Sequence, residues 1–452
     1  MDITKGNIRR SISMMREPCV TVIEPSGRYL FVANFLPSGR ADTDIVASCV
    51  SVIDRCTFRR IKDISLTNGS NALRDICCSP DGRFIYVSHN LGRFTLPTSQ
   101  LQQGWMNTSA FSVIETEGLS LVATIIADEP ERGVAGIWGI ACNQETLFLA
   151  HSGTHEVSII NRLALHKRLA YCADYQALSS DLSFLYGIRR RLTLQGNGPR
   201  CLSLTSSKLL VPTYFADVLN VIDIPSFTLS FFHLNPYRKE TKEQAGERYF
   251  NDAAYCYQQW QSCSGCHPED GRPDGLNWDL MNDGVGNPKN CKSLLFSHVT
   301  PPSMISGIRP SAEIAVDAGF RFIQFHELPE EALDTVNAYL RSLCPMPSPF
   351  LVNGRLSSKA EAGKKVFERL HCGNCHSGAY YTDGKRYCIG DDVEFTEGWD
   401  TPTLREVWRT APYLFDGRAP TMESVFSTHR HGVDHHLSPV DLEALTEYVN
   451  SL

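Results

Sequence analysis

Apolar and polar positions alternate with period two through much of residues 17–225, and no strong helical period competes with them. The clearest runs follow Pro-x-Gly turn signals: Pro25-Ser-Gly-Arg-Tyr-Leu-Phe-Val-Ala-Asn34 and Pro80-Asp-Gly-Arg-Phe-Ile-Tyr-Val-Ser-His89. Leu147-Phe-Leu-Ala-His151 and Leu209-Leu-Val-Pro-Thr213 repeat the strand. A second strand follows each: Val50–Asp54, Ala110–Ile114, Glu156–Ile160 and Val218–Asp223. Four such repeats predict sheets that bury their faces against one another, as β-propeller blades do. A ring usually needs more than four, so the expected fold class is multidomain, opening with an incomplete all-β propeller.

Beyond residue 236 the period changes to that of helices. Ser357-Ser-Lys-Ala-Glu-Ala-Gly363-Lys-Lys-Val-Phe367 sets Gly and Phe four apart on one face, and Gly246-Glu-Arg-Tyr-Phe250 repeats it. Ser438-Pro439-Val-Asp441 is a helix start, continued by Leu442, Leu445, Val449 and Leu452. Val336–Leu343 matches Leu445–Leu452 at an offset of 109 residues, and Arg309 and Arg418 share that offset. The second half is therefore read as a duplicated, mainly α module. The stiff Cys344-Pro-Met-Pro-Ser-Pro linker separates the copies. The predicted domains are 1–236, 237–346 and 347–452.

The same offset separates Cys263-Ser-Gly-Cys266-His267 from Cys372-Gly-Asn-Cys375-His376. Each is C-x-x-C-H, the attachment pattern of c-type haem: two thiols bond the vinyl groups and the adjacent histidine ligates iron. A zinc reading would need both cysteine pairs to converge on one ion, and it leaves the trailing histidines unexplained. Four of the sixteen cysteines are thereby assigned. Among the rest, the vicinal pair Cys77-Cys78 cannot close an unstrained disulfide on itself. With 43 basic and 50 acidic residues the net charge is −7, and no basic tract suggests a nucleic-acid or membrane-surface footprint. No apolar run approaches the roughly 20 residues of a membrane-spanning helix.

The strand repeats resemble those of the YVTN-type β-propeller family, and the second half resembles the di-haem cytochrome c peroxidase and MauG-like family. Gly104–Thr108, Asn277–Asn290 and Thr410–Arg418 are similar to signatures of fusions between the two. The resemblance implies two cytochrome c-like modules after the propeller, two covalently bound haem c groups, and a periplasmic or otherwise exported protein. It also implies a signal peptide and further blades upstream of this chain.

Both irons are expected to take a proximal histidine, His267 and His376. His431, with His429 as runner-up in the cluster that ends in His435 and His436, is the distal ligand expected for the second haem. Subtracting 109 from positions 429, 431 and 435 gives Phe320, Phe322 and His326, which leaves the first haem the open one. Peroxide cleavage there needs a proton carrier and a polar donor, for which Glu313, Gln324, His298 and Arg309 are candidates. Met304 or His298 could instead ligate this haem and close it. Where bacterial members carry a distal histidine, this chain has Asn277-Trp278-Asp279, and Phe415 stands where relatives often have histidine. Arg309 and Arg418 are candidate propionate partners, and Trp278 and Trp408 candidate electron relays. Asn282, Asp283 and Asn287 form a turn-rich loop that the resemblance makes a possible Ca2+ site.

The expected function is a di-haem oxidoreductase that reduces hydrogen peroxide or a similar small-molecule oxidant at the first haem. Electrons would come through the second from a small cytochrome c or cupredoxin. The alternatives are a non-catalytic electron-transfer subunit with the propeller as docking scaffold, and MauG-like oxidation of a protein side chain.

Overall fold

The computed structural model describes residues 7–96, 106–280, 288–388, 396–433 and 436–452. It is multidomain and divides into two compact units. The first comprises the described residues up to 37, 47–91 and 108–236; the second comprises the described residues of 38–46, 92–107 and 237–452. Among the described residues no helix is long and apolar enough to cross a membrane.

The first unit holds four separate four-stranded antiparallel sheets, taken up in chain order. They are β1–β4 (Pro18–Ile23, Tyr29–Asn34, Cys49–Asp54, Arg59–Ser65) and β5–β8 (Ser70–Cys78, Phe84–Gly92, Asn107–Glu115, Ser120–Ile126). Then come β9–β12 (Ile137–Cys142, Thr146–His151, Glu156–Asn161, Arg189–Thr193) and β13–β16 (Ser203–Leu204, Lys208–Thr213, Val218–Asp223, Leu229–His233). The Pro-x-Gly signals become turns in which Gly27 and Gly82 adopt φ of 74° and 73°, a region costly for any side chain with a Cβ. Alternate residues of the inner strands fill the layers between sheets. Phe31, Val52, Ile76 and Val87 join the first to the second, Phe111, Ile140, Leu147 and Leu149 the second to the third, and Phe148, Ile159, Leu209 and Ile222 the third to the fourth. Each such side chain contributes roughly 1.5–3 kcal/mol through burial.

The polar residues ending the repeated strands are equally regular. Asn34 on β2 donates to Ser51 on β3 at 3.0 Å, and Ser51 donates to Asp63 on β4 at 2.6 Å. His89 on β6 bonds Ser112 on β7, which bonds Thr124 on β8, both at 2.8 Å; His151 on β10 bonds Ser158 on β11 at 2.8 Å. Buried polar groups need partners, and here they tie neighbouring strands in a fixed register. Burial holds His89 down to about 4 and His151 to about 3, so both rings are neutral. One element was not legible as periodicity: α1 (Arg162–Ala170), inserted between β11 and β12 and capped by Asn161. It buries only Leu165 and Leu169 of its apolar side chains, while Arg162 donates to the carbonyl of Gln144.

The second unit contains the duplication. Its first copy runs through α2 (Lys242–Asn251), the short turn α3 (Pro268–Gly271), the ribbon β17 (Asn277–Trp278) with β18 (Lys289–Asn290), α4 (Ala312–Phe322) and α5 (Glu330–Ser342). The second runs through α6 (Ser358–Arg369), the ribbon β19 (Arg386–Tyr387) with β20 (Trp399–Asp400), α7 (Met422–Ser427) and α8 (Pro439–Asn450). In each copy the entry helix crosses the closing helix at a glycine. A Cβ on Gly246 would stand 1.9 Å from the carbonyl oxygen of Thr335, and one on Gly363 1.9 Å from that of Ala444. Four residues on, Phe250 packs on Tyr339 and Phe367 on Tyr448, at ring separations of 5.5 and 5.4 Å.

The copies also exchange contacts reciprocally. The Asn290 N–H donates to the Phe415 carbonyl at 2.7 Å, and the equivalent Asp400 N–H donates to the Ile305 carbonyl at 3.0 Å. Gly307 faces Arg386 while its counterpart Gly417 faces Asn277. Contact of i with j matched by j with i is the signature of a two-fold relation, here within one chain.

Gly363→Ala should lower unfolding stability by about 1–3 kcal/mol, because the added methyl must push two helix backbones apart. An unchanged denaturation midpoint would show that the crossing is looser than described.

Candidate functional site

Each C-x-x-C-H segment folds as one tight turn that gathers its three functional groups. The His267 N–H donates to the Cys263 carbonyl at 3.0 Å, and the His376 N–H to that of Cys372 at 2.9 Å. Both thiols and the imidazole of each motif line one cavity: the first of about 230 Å³ and the second of about 560 Å³. The cysteine pairs thus occupy separate cavities rather than converging on one ion. The two cavities share a wall formed by Asn290–Ser293, Ser297, Thr300 and Ile305.

The second cavity is built around two facing histidines. His376 Nδ1 lies 3.1 Å from the Tyr381 carbonyl oxygen. That carbonyl can only accept, so Nδ1 carries the proton and Nε2 keeps its lone pair. His431 follows α7, and its ring centre stands 6.2 Å from that of His376. Two ring nitrogens about 2 Å either side of one metal ion require a separation of this order. Burial, then His376 and Arg418, hold His431 down to about 4, and its Nδ1 is buried with no hydrogen-bond partner among the described residues. Burial likewise lowers His376. His429 also lines this cavity; His435 lies outside the described residues, and His436 is exposed. The pair of thiols, the turn and the facing imidazoles fit a covalently held haem.

Among the described residues the first cavity has no such pair. His267 is held neutral by burial, at about 4, with a backbone hydrogen bond to Gly271 opposing the shift. Met304, Gln324 and Arg309 line the cavity. Gln324 donates to Cys263 Sγ at 3.0 Å, and its Oε1 is buried with no partner among the described residues. Glu313 instead sits outside, its carboxylate paired with Arg341 at the surface. It is lowered chiefly by backbone hydrogen bonding at the start of α4, and so is a poor proton carrier for the cavity. His298 is also turned elsewhere, bonded to Asn337 at 2.8 Å. Among the described lining residues the charged side chains are Lys289, Lys292 and Arg309, all cations.

The structure corrects the register by which the copies compare. The bridge Ser303–Arg309 corresponds to Tyr413–Ala419, and the left-handed residues Met304 and Leu414 (φ 73° and 71°) coincide, which makes the offset 110 there. Arg309 therefore matches Ala419, not Arg418, which pairs with Asp416. After α4 the offset drops to 105. His326 N–H bonds the Phe320 carbonyl as His431 N–H bonds that of Val425, and Phe325 and Arg430 both have positive φ. So His326 and Gln324, rather than phenylalanines, are the counterparts of His431 and His429. His326 packs edge-on against Tyr255 at 5.7 Å and does not line the cavity.

Several residues were not singled out by any motif. Cys291 Sγ lies 3.6 and 3.7 Å from the two ring nitrogens of His267, where the second copy has Thr401. Lys292 pairs with Asp400, which is 2% exposed, across the wall between the copies. Trp399 stacks on Phe415 at 4.3 Å, and both line the second cavity. Trp278 donates to Asp274 at 2.8 Å, whereas Trp408 Nε1 is buried with no partner among the described residues. Asn282, Asp283 and Asn287, the possible Ca2+ loop, and Trp105 lie outside the described residues.

No family profile matches the chain. It is 27% identical over 281 residues to hydrazine synthase subunit gamma of Kuenenia stuttgartiensis, covering 48% of this chain and 79% of that protein. To hydrazine synthase subunit beta of the same organism it is 27% identical over 218 residues, covering 45% of this chain and 53% of that one. The chain thus spans about half the length of the beta subunit. Among solved structures, a MauG-like protein associated with microbial copper homeostasis is similar at 20% identity with a TM-score of 0.39, covering 48% of this chain and 90% of that one.

The Lys292–Asp400 pair gives a pH-dependent test. Burial raises the Asp400 carboxyl against the pull of Lys292. A carboxyl whose folded-state pKa exceeds its unfolded value destabilises the fold as pH rises from the unfolded value through the folded one. Lys292→Met should therefore cost about 2–4 kcal/mol at pH 7, somewhat below the fully buried range because Lys292 retains some solvent contact. Denaturation curves should show the deficit shrinking toward pH 4. A deficit independent of pH would exclude the carboxyl as its cause.

Proposed function

We propose that the chain is a di-haem c-type oxidoreductase whose two modules divide the work. One supplies a site for a small oxidant, and the other passes electrons. The observation that carries this reading is the asymmetry between the cavities: His431 faces His376 in the second, while its counterpart His326 packs on Tyr255 away from the first. When bound, haem supplies an iron that changes charge by one electron and, where one face is open, a position for a small ligand.

Cys263, Cys266 and His267 would hold the first haem, and Cys372, Cys375, His376 and His431 the second. The Tyr381 carbonyl fixes the tautomer that leaves His376 Nε2 free to bind. In the first cavity the Arg309 guanidinium and the Gln324 amide are among the lining polar groups that would orient an oxidant such as hydrogen peroxide and donate hydrogen bonds to its departing oxygen. The cations Lys289, Lys292 and Arg309 favour anionic groups, including haem propionates. Met304 in the same cavity supports the rival reading of a closed first site and a purely electron-carrying protein. In the first unit, the four consecutive sheets support reading it as propeller blades that dock an electron-donor protein such as a small cytochrome c or cupredoxin. Similarity to two subunits of one enzyme further supports work as one part of an assembly. Haem c attachment takes place outside the cytoplasm, so the protein is proposed to be exported.

Electron paramagnetic resonance of the oxidised full chain tests the division. One low-spin signal and one high-spin signal that shifts on adding cyanide are expected, and two low-spin signals unmoved by cyanide would exclude the oxidant site. His431→Ala should turn the low-spin signal high-spin while haem stays covalently attached. A spectrum unchanged by that substitution would remove His431 from the ligand set.

A further inference from the structure

The second and third sheets of the first unit meet at a cysteine pair that no haem motif uses. Cys77 lies on β5 and Cys142 on β9, 65 positions apart in sequence, and their Sγ atoms are 3.8 Å apart with the Cys77 thiol donating. Both pack against the apolar cluster between these sheets, beside Tyr86 and Leu147. The neighbouring thiols are directed elsewhere: Cys78 toward the Ser79 carbonyl at 3.3 Å, and Cys172 toward that of Asp174 at 3.2 Å. A disulfide requires about 2 Å between sulfurs, so closing this pair draws the two sulfurs together by about 2 Å.

We infer that Cys77 and Cys142 form a disulfide that clasps the second sheet to the third. It rests on the proposed function only for the oxidising compartment in which haem c proteins mature. The oxidant is an external protein disulfide. Cys142, held below the usual thiol range first by the hydrogen bond from Cys77, attacks it as thiolate and releases one donor thiolate. Cys77, pushed up by burial, gives its proton to solvent as it attacks the mixed disulfide and displaces Cys142's bond to the donor, forming Cys77–Cys142. The two cysteines lose two electrons and two protons in all, and the donor disulfide becomes two thiols.

The test is peptide mapping of the full chain, exported with haem-attachment machinery, quenched in acid, alkylated and digested with trypsin without reduction. The peptide Asp75–Arg83 should be recovered joined to the one containing Cys142, two hydrogens lighter than their sum and separable by reductant. Cys78→Ser should keep the link. Reduction should lower the unfolding temperature by roughly 5–10 °C, a shift absent from Cys142→Ser. Recovery of both residues alkylated, or of Cys77 joined to any other cysteine, would overturn the inference; because the unmutated chain decides this, a variant that fails to fold does not. A chain with the link but no covalent haem would refute the haem reading alone, and one with haem but free thiols would refute the disulfide alone.

Discussion

Two backbone hydrogen bonds, from Asn290 to Phe415 and from Asp400 to Ile305, hold the two haem-type modules in a reciprocal embrace. The last strand of each ribbon donates a backbone hydrogen bond to the other copy, beside the wall that the two cavities share. Residues 290–293 run along both cavities, and Lys292 reaches across to Asp400. A buried backbone N–H without a partner is costly, and here each copy supplies what the other lacks. The two cavities therefore share one wall, and a change on one side of it alters residues that also line the other.

Within each module the geometry follows from a few positions of fixed identity. A glycine allows the entry and closing helices to touch, the phenylalanine four residues later locks onto a tyrosine of the partner helix, and the turn after the entry helix gathers two thiols and an imidazole. These were readable in the chain because each depends on short spacings set by one helix or one turn. The strand repeats were readable for the same reason, and even their terminal polar residues, Asn34, His89, His151 and Thr213, stood in plain sight. Only the pairing of strands revealed that most of them belong to buried inter-strand hydrogen-bond chains.

What escaped reading depends on chain length rather than on residue type. The offset of 109 holds at the motifs and at the closing helices, so it looks uniform. Between them it rises to 110 and falls to 105, changes that cancel before α5 and α8. Comparing residues by the outer offset matched His431 to the wrong neighbour and Arg309 to Arg418. The helix α1 escaped for another reason: nine residues with few buried apolar positions carry too little amphipathic signal, and Asn161 capping with Arg162 anchoring supplies the rest.

The extended α4 has a wider meaning. It spans eleven residues where α7 spans six, and beyond it the histidine equivalent to His431 lands on Tyr255 instead of across a cavity. A residue of the same kind survives in both copies, yet it serves different ends because the helix before it changed length. After gene duplication, a small insertion can thus redirect a side chain that both copies retain. Comparing only the C-x-x-C-H motifs and the closing helices would miss this difference, because it lies in the chain length between them.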